Sequence, residues 1–425
     1  MEPAFFPECC IYRVPRRLRQ IKPEAYTPKL ISIGPLHYRK QELMDTEMLK
    51  LRYSNEFCYR ARTNPPDILR IIMDNEQSIR RCYEESFNIS GGDFVRMVFL
   101  DSAFIIQHLL MATTGGDEQY KNRYIYSKPW LNSLILLDLM LLENQLPFFI
   151  LEEIYNKVWS KENNDISFFD LACKYFKKYL PFHDEEKKPT VEKVEHFTDL
   201  IRCFYKPSNN HKFGVTISYV YSATKLYESG VRFKMTENRR FDNIEFQKWE
   251  PCGNCQCFNF SWLLDFLPCL KCFPCSERIQ SLLSLPSFVA NNGNEDLFRN
   301  LMALEQCHYP LEAYICNYVV LLDQLVNTIE DVELLVDKGI IVNELGSYDV
   351  VATMINKLAL EIKEENSCYS ELAQELKDHF ENGCNRNMGY LKSTYFSNLW
   401  RGTATVVGLI ILGFTLWDFV RSTIK

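Results

Sequence analysis

The stretch Leu131–Tyr155 reads LNSLILLDLMLLENQLPFFILEEIY. It is an apolar run with Asp138 and Glu143 set into it, a polar Asn144-Gln145 corner, then Pro147 and a second apolar run. At 1.5 Å of rise per residue, neither half crosses a bilayer without carrying a carboxylate into it. Pro147 lacks a backbone donor and disfavours a helical residue before it. The spacing therefore predicts one helix ending near Gln145 and another beginning around Phe148. Two helices this apolar on nearly every side belong at the centre of a globular core.

Around this pair the chain runs to 425 residues, 47% hydrophobic and 14% aromatic. That composition supports a sizeable core, and nothing in it suggests bulk disorder. A net charge of −7 argues against a nucleic-acid partner. Sixteen cysteines are present, many of them scattered singly, and MEPAFFPECCIYRVPRRLRQ at the N-terminus holds no apolar signal core. Both features favour a reducing, cytosol-facing compartment.

Upstream, Cys9-Cys10 precede Arg13, Arg16, Arg17, Arg19, Lys22 and Lys29, with only Glu24 opposing. Two readings stand: a solvated, proline-punctuated lead-in, or a basic segment against an anionic leaflet with acylated thiols. Pro15, Pro23, Pro28 and Pro35 impose extended or turned backbone, so helix proper is expected from about Gln41. Apolar spacing from Asp67 to Leu110 predicts helices broken at Ser90-Gly91-Gly92. Gly115-Gly116-Asp117-Glu118 reads as a polar loop. Further helices are expected over Phe168–Leu180, Val191–Tyr205, Leu297–Cys307, Tyr314–Leu335 and Tyr348–Ile362, with Ser347 as a cap and Gly339 as a helix-closing residue. Ser367–Phe396 reads as a more polar helical region. Strands are expected at Gly230–Phe233 and within Arg239–Phe246.

Several of these segments resemble one large plant family, catalogued as the domain of unknown function 247 family. The resemblance is carried by Val14-Pro15, Ala25-Tyr26-Thr27-Pro28, Ile31-Ser32-Ile33-Gly34-Pro35, Glu47 and Lys50-Leu51-Arg52-Tyr53. Leu141-Leu142-Glu143-Asn144-Gln145-Leu146-Pro147-Phe148-Phe149 is similar to its most specific motif. Phe298–Cys307, Glu330-Asp331-Val332, Gly339-Ile340-Ile341 and the apolar terminus extend the match. The resemblance implies a plant protein, mostly helical and membrane-associated, and supplies no catalytic residues.

The expected architecture is mainly α: a lead over 1–10, one helical body over 11–398 with at most a few short strands, a transmembrane tail anchor over 399–420 and a tail over 421–425. The anchor rests on Gly402–Trp417, 16 residues without a charge, bracketed by Arg401 and Asp418 with Trp400 and Trp417 at the ends. That is short of the ~20 apolar residues a bilayer core requires, although a snorkelling arginine and interfacial tryptophans extend the usable length. An interfacial helix or a buried core helix are the competing readings. The flanking charges favour neither orientation strongly. A span so close to the C-terminus nevertheless leaves the bulk of the chain on the cytosolic side, at the plasma membrane or an endomembrane.

Inside the body, residues 250–285 form a Cys-rich insertion that departs from the family pattern. Cys252, Cys255, Cys269 and Cys272, with Cys257 and Cys275 as alternates, approach four-thiolate zinc spacing. The greasy loop between them equally suits S-acylation against a membrane surface, with a disulfide or plain packing as the remaining alternatives. No nucleophile elbow, Walker loop or zinc-protease motif is present. Asp101, Asp138 and Glu143, each inside an apolar run, are the candidates for a buried acid/base cluster, weighed against structural pairing. The sequence thus favours a membrane-tethered interaction, recognition or signalling component with unknown protein partners. A hydrolase or transferase using those carboxylates is the alternative.

Overall fold

The computed structural model describes residues 6–113, 125, 128–159, 166–177, 193–207, 212–236, 241, 244–248, 281–395 and 399–423. Gly115–Glu118 and the six cysteines of the 250–285 insertion lie outside them.

The described residues begin not with a helix but with a strap over residues 9–38. It makes a single helical turn at Arg16–Arg19 and tight 3-10 turns at Pro23–Tyr26 and Pro35–His37. Proline opens both 3-10 turns, where its missing donor costs nothing. A further 3-10 turn, Gln41–Thr46, leads into α1 (Glu47–Ala61). Then come α2 (Pro65–Arg81) and α3 (Gly91–Thr113), which starts at the expected glycine break. α3 is almost wholly buried, with α1, α2, α5 (Phe148–Trp159) and α6 (Phe168–Phe176) packed around it.

α4 (Pro129–Asp138) ends seven residues before Gln145, where the sequence alone placed its end. The cause lies in the polar corner itself. The Asn144 amide donates to the Asp138 carbonyl at 2.9 Å, and the Gln145 amide donates to Leu139 O (2.7 Å) and Leu141 O (2.8 Å). Side chains replace the backbone donors that another helical turn would have supplied. Residues 139–147 thereby become a buried non-helical corner before α5 begins at Phe148, as expected.

The second half of the body holds α7 (Phe197–Tyr205), α8 (Ala223–Glu228), α9 (Asn292–His308), α10 (Tyr314–Leu325), α11 (Ile329–Asp337) and α12 (Tyr348–Ala359). The expected Tyr314–Leu335 helix is two helices. Thr328 and Asp331 form a reciprocal capping box that starts the second. Gly339 closes it at φ +72. Ser347 occupies the cap position of α12, but its side chain makes no capping bond.

Strands β1 (Val231–Thr236), β2 (Glu245–Gln247) and β3 (Ser281–Pro286) form a sheet in the order β1-β3-β2. β1 runs parallel to β3 with Val231 opposite Ser281, and β2 runs antiparallel with Phe246 opposite Leu283. β4 (Phe288–Ala290) pairs in parallel with β5 (Ile341–Asn343). A continuous apolar core joins both halves. The last described elements are α13 (Ser370–Glu381), α14 (Gly383–Tyr395) and α15 (Leu399–Thr423). The protein is mainly α, with few strands.

Candidate functional site

Asp138, Glu143 and Asp101 are all buried, and all three grip the same object. Asp138, the last residue of α4, accepts the amides of Lys29 (2.9 Å), Leu30 (2.7 Å) and Ile31 (2.8 Å). Asn144 Oδ1 accepts the Ile33 amide at 2.7 Å, and its own amide donates to Ile31 O. Asp101, from the middle of α3, accepts the Gly34 amide at 2.8 Å and pairs with Lys50 at 2.7 Å. Glu143 accepts the Val14 amide at 2.7 Å and pairs with Arg13 and Arg19 of the strap. The carboxylates therefore clamp successive pieces of the N-terminal strap into the corner, replacing backbone partners that an irregular buried segment would otherwise lack.

Gly34 shows how tight this seam is. Its φ of +70 and ψ of −175 belong to a region essentially reserved for glycine. An added Cβ there would collide with Gln145 O and the Tyr83 hydroxyl. That same Tyr83 hydroxyl donates to Gln145 O at 2.8 Å, and Gln145 Oε1 accepts the Phe197 amide at the start of α7. One residue of the motif thus ties the corner to α7.

The electrostatics differ among the three acids. Burial pushes Asp138 up to about 6 against the pull of the three amides. Burial likewise lifts Asp101 to about 6, with Lys50 opposing, while Asp101 and Glu47 hold the buried Lys50 ammonium above its ordinary range despite desolvation. At Glu143 burial also acts upward, but His37, Arg19 and the Val14 amide outweigh it and hold the carboxyl at about 2. His37 Nε2 lies 3.3 Å from Glu143, and burial lowers the imidazole's pKa. Each acid is committed to amides or cations inside the protein. The groove of about 720 Å³ between α1, α2 and α3 is lined by residues such as Leu51, Met73, Glu76, Arg96 and Phe99, and holds none of the three.

The basic lead-in is also part of the body. Lys22 pairs with Glu295 and Asp296, Lys29 with Asp296, and Arg39 with Asp93. Cys9 and Cys10 are buried, out of reach of an acyl chain at a membrane surface. The burial of Cys9 and Cys10 corrects the reading in which these thiols are acylated at a leaflet. The ion pairs of Lys22 and Lys29 show that the segment is docked on the body, although Arg16 and Lys29 stay exposed as a solvated lead-in would have them.

Two residues with no expected role, Asn300 and Glu305, complete the frame. Asn300 of α9 accepts the Leu142 amide at 2.9 Å and donates to Ala25 O at 2.8 Å, linking corner, strap and α9. Glu305 accepts the Ile315 and Cys316 amides (3.0 and 2.9 Å) and pairs with Arg202 at 3.2 Å. Both lie in the Phe298–Cys307 stretch, whose polar residues inside an apolar helix were the available signal. Among the described residues no group of histidine, cysteine or acidic side chains is arranged to hold a metal ion. Cys252, Cys255, Cys257, Cys269, Cys272 and Cys275 lie outside those residues.

α15 is the other exceptional element. It is 25 residues long, and Val406, Leu409, Ile410, Ile411, Leu412, Phe414 and Trp417 are exposed along it. α3 is comparably apolar and long, yet it is enclosed by its neighbours. Both helices are long and apolar enough to cross a membrane, and only α15 stands clear of the body.

A family profile described as "Plant protein of unknown function" (domain of unknown function 247) matches residues 11–414. Among curated proteins, the chain is similar to UPF0481 protein At3g47200 of Arabidopsis thaliana, 25% identical over 98% of this chain and 86% of that protein. It is also similar to Putative UPF0481 protein At3g02645 of the same plant, 28% identical over 45% of this chain and 36% of that protein. No solved structure matches the chain significantly. With the profile spanning the strap, the corner and nearly all of the helical body, the chain belongs to the domain of unknown function 247 family of plant proteins.

Proposed function

We propose that this protein is a membrane-tethered interaction component, in which α15 is the anchor and the strapped helical body is a rigid platform for protein partners. The observation that carries the reading is the exposure of α15's apolar side chains along the whole helix. At 1.5 Å per residue its 25 residues extend about 37 Å, enough for a ~30 Å hydrocarbon core with some tilt. Trp400 and Trp417 sit near its ends, where interfacial anchors belong, and Arg401, Asp418 and Arg421 fall toward headgroup level. We read the body as facing the cytosol, a placement in which Cys10, Cys82 and the other free thiols rest reduced.

An interaction role is supported by the state of the acids. A general acid or base needs a proton path to substrate, and Asp101, Asp138 and Glu143 spend their lone pairs on strap amides and buried cations. The test is removal of Gly402–Lys425. The truncated protein is expected in the soluble fraction of plant cells while the full chain pellets with membranes. Truncated protein that still pellets with membranes, with unchanged circular dichroism, overturns the anchor.

A further inference from the structure

We propose that Cys10 and Cys82 form a reversible disulfide that fastens the N-terminal strap to the end of α2. The inference rests on the body alone and is independent of the membrane reading. Ile11 and Tyr83 form a parallel β-bridge. Cys10 N and Ile11 N both donate to Cys82 O at 2.9 Å, and Glu84 N donates back to Ile11 O at 3.0 Å. One step back in this register, Cys10 stands opposite Cys82. Paired strands run about 4.8 Å apart, inside the roughly 4.4–6.8 Å that a disulfide requires between Cα atoms. Matched positions of a parallel pair point to the same side. Consistent with this, the neighbouring Cys82 side chain, together with burial, pushes the Cys10 thiol well above its ordinary pKa, while the Cys82 thiol itself donates to Ser78 O at 3.3 Å.

The chemistry is a two-electron thiol–disulfide exchange with a low-molecular-weight disulfide such as glutathione disulfide. One thiol of the pair loses its proton and attacks the glutathione disulfide, expelling one glutathione thiolate that takes up that proton. The second thiol then attacks the mixed disulfide, forming the Cys10–Cys82 bond and releasing a second glutathione. Two protein thiols are oxidised and one glutathione disulfide is reduced to two thiols. Both protein thiols are buried, so the exchange proceeds through local opening of the strap and is slow. Once formed, the bond closes a loop containing α1 and α2 and holds the strap against the Tyr83–Gln145 seam.

The test uses the full chain in detergent micelles, equilibrated in glutathione buffers stepped from reducing to oxidising, acid-quenched, alkylated, digested and mapped. The Cys10 peptide is expected joined to the Cys82 peptide in a fraction that rises across the series and is reversed by dithiothreitol. Fragment ions separate Cys10 from its neighbour Cys9. The oxidised protein is expected to melt several degrees above the reduced one, a difference lost in Cys82→Ser. Recovery of Cys10 and Cys82 as alkylated thiols at the oxidising end, or pairing of either with Cys9 or Cys307, overturns the proposal. The mapping needs only the wild-type chain and so does not depend on the folding of any variant.

Discussion

Glu143 sits where Arg13, Arg19 and His37 converge on a carboxylate with no solvent exposure of its side chain. Its pKa of about 2 lies below the ordinary glutamate value of about 4.3, so the folded state prefers the ionised form. That preference is worth about 3 kcal/mol at neutral pH. The contribution is complete above the unfolded pKa and is lost as pH falls from about 4 to about 2. Glu143→Gln is therefore expected to lower the stability of the full chain by about 3 kcal/mol at pH 7, read by urea denaturation in micelles. The gap should shrink as the wild type is titrated toward pH 2. A gap that does not change with pH would show that shape, not charge, is what the position requires. Asp101 and Asp138 have the opposite sign. Burial raises both to about 6, so their ionisation weakens the fold as pH rises from about 4 through 6. They persist because the amides and Lys50 they satisfy would otherwise be buried without partners.

At the scale of elements, the strap is an irregular segment whose backbone amides are satisfied by side chains more than a hundred residues away, Asp138 for Lys29–Ile31 and Asn144 for Ile33. Asp138→Ala leaves three strap amides without an acceptor, at a cost of about 3 kcal/mol or more. Hydrogen exchange followed by mass spectrometry should show the peptide around residues 29–34 losing protection while α3 keeps its own. Unchanged protection of that peptide would mean that packing alone holds the strap. These long-range partners also explain what the sequence made legible. The apolar run, the helix start at Phe148 and the glycine break before α3 are local signals, and all three were readable. The end of α4 was not, because it depends on Asn144 and Gln145 folding back on carbonyls and on the strap they grip. The basic segment read as solvated or membrane-facing because Glu143, Glu295 and Asp296 are distant in the chain and meet it only in the fold. The motif residues were recognisable as a family mark, but their role as clamps required the structure.

For the whole molecule, α3 and α15 pose one physical question twice: what excludes water from a long apolar helix. Around α3 the answer is protein, with Phe104, Ile105 and Ile106 fully buried against neighbouring elements. Around α15 the described body supplies no such cover, and about 30 Å of hydrocarbon is the environment its length and flanks match. The two cases separate by substitution. A lysine at the centre of a spanning helix costs about 3 kcal/mol in insertion. Ile410→Lys with Phe414→Lys is therefore expected to release the full chain from membranes on alkaline carbonate extraction, with the helical body still folded by circular dichroism. A double variant that stays in the carbonate-resistant pellet would mean that α15 does not hold the protein there through its apolar face. The body would then have to carry the membrane contact, although Arg19, Lys22 and Lys29 of its strap are already paired internally.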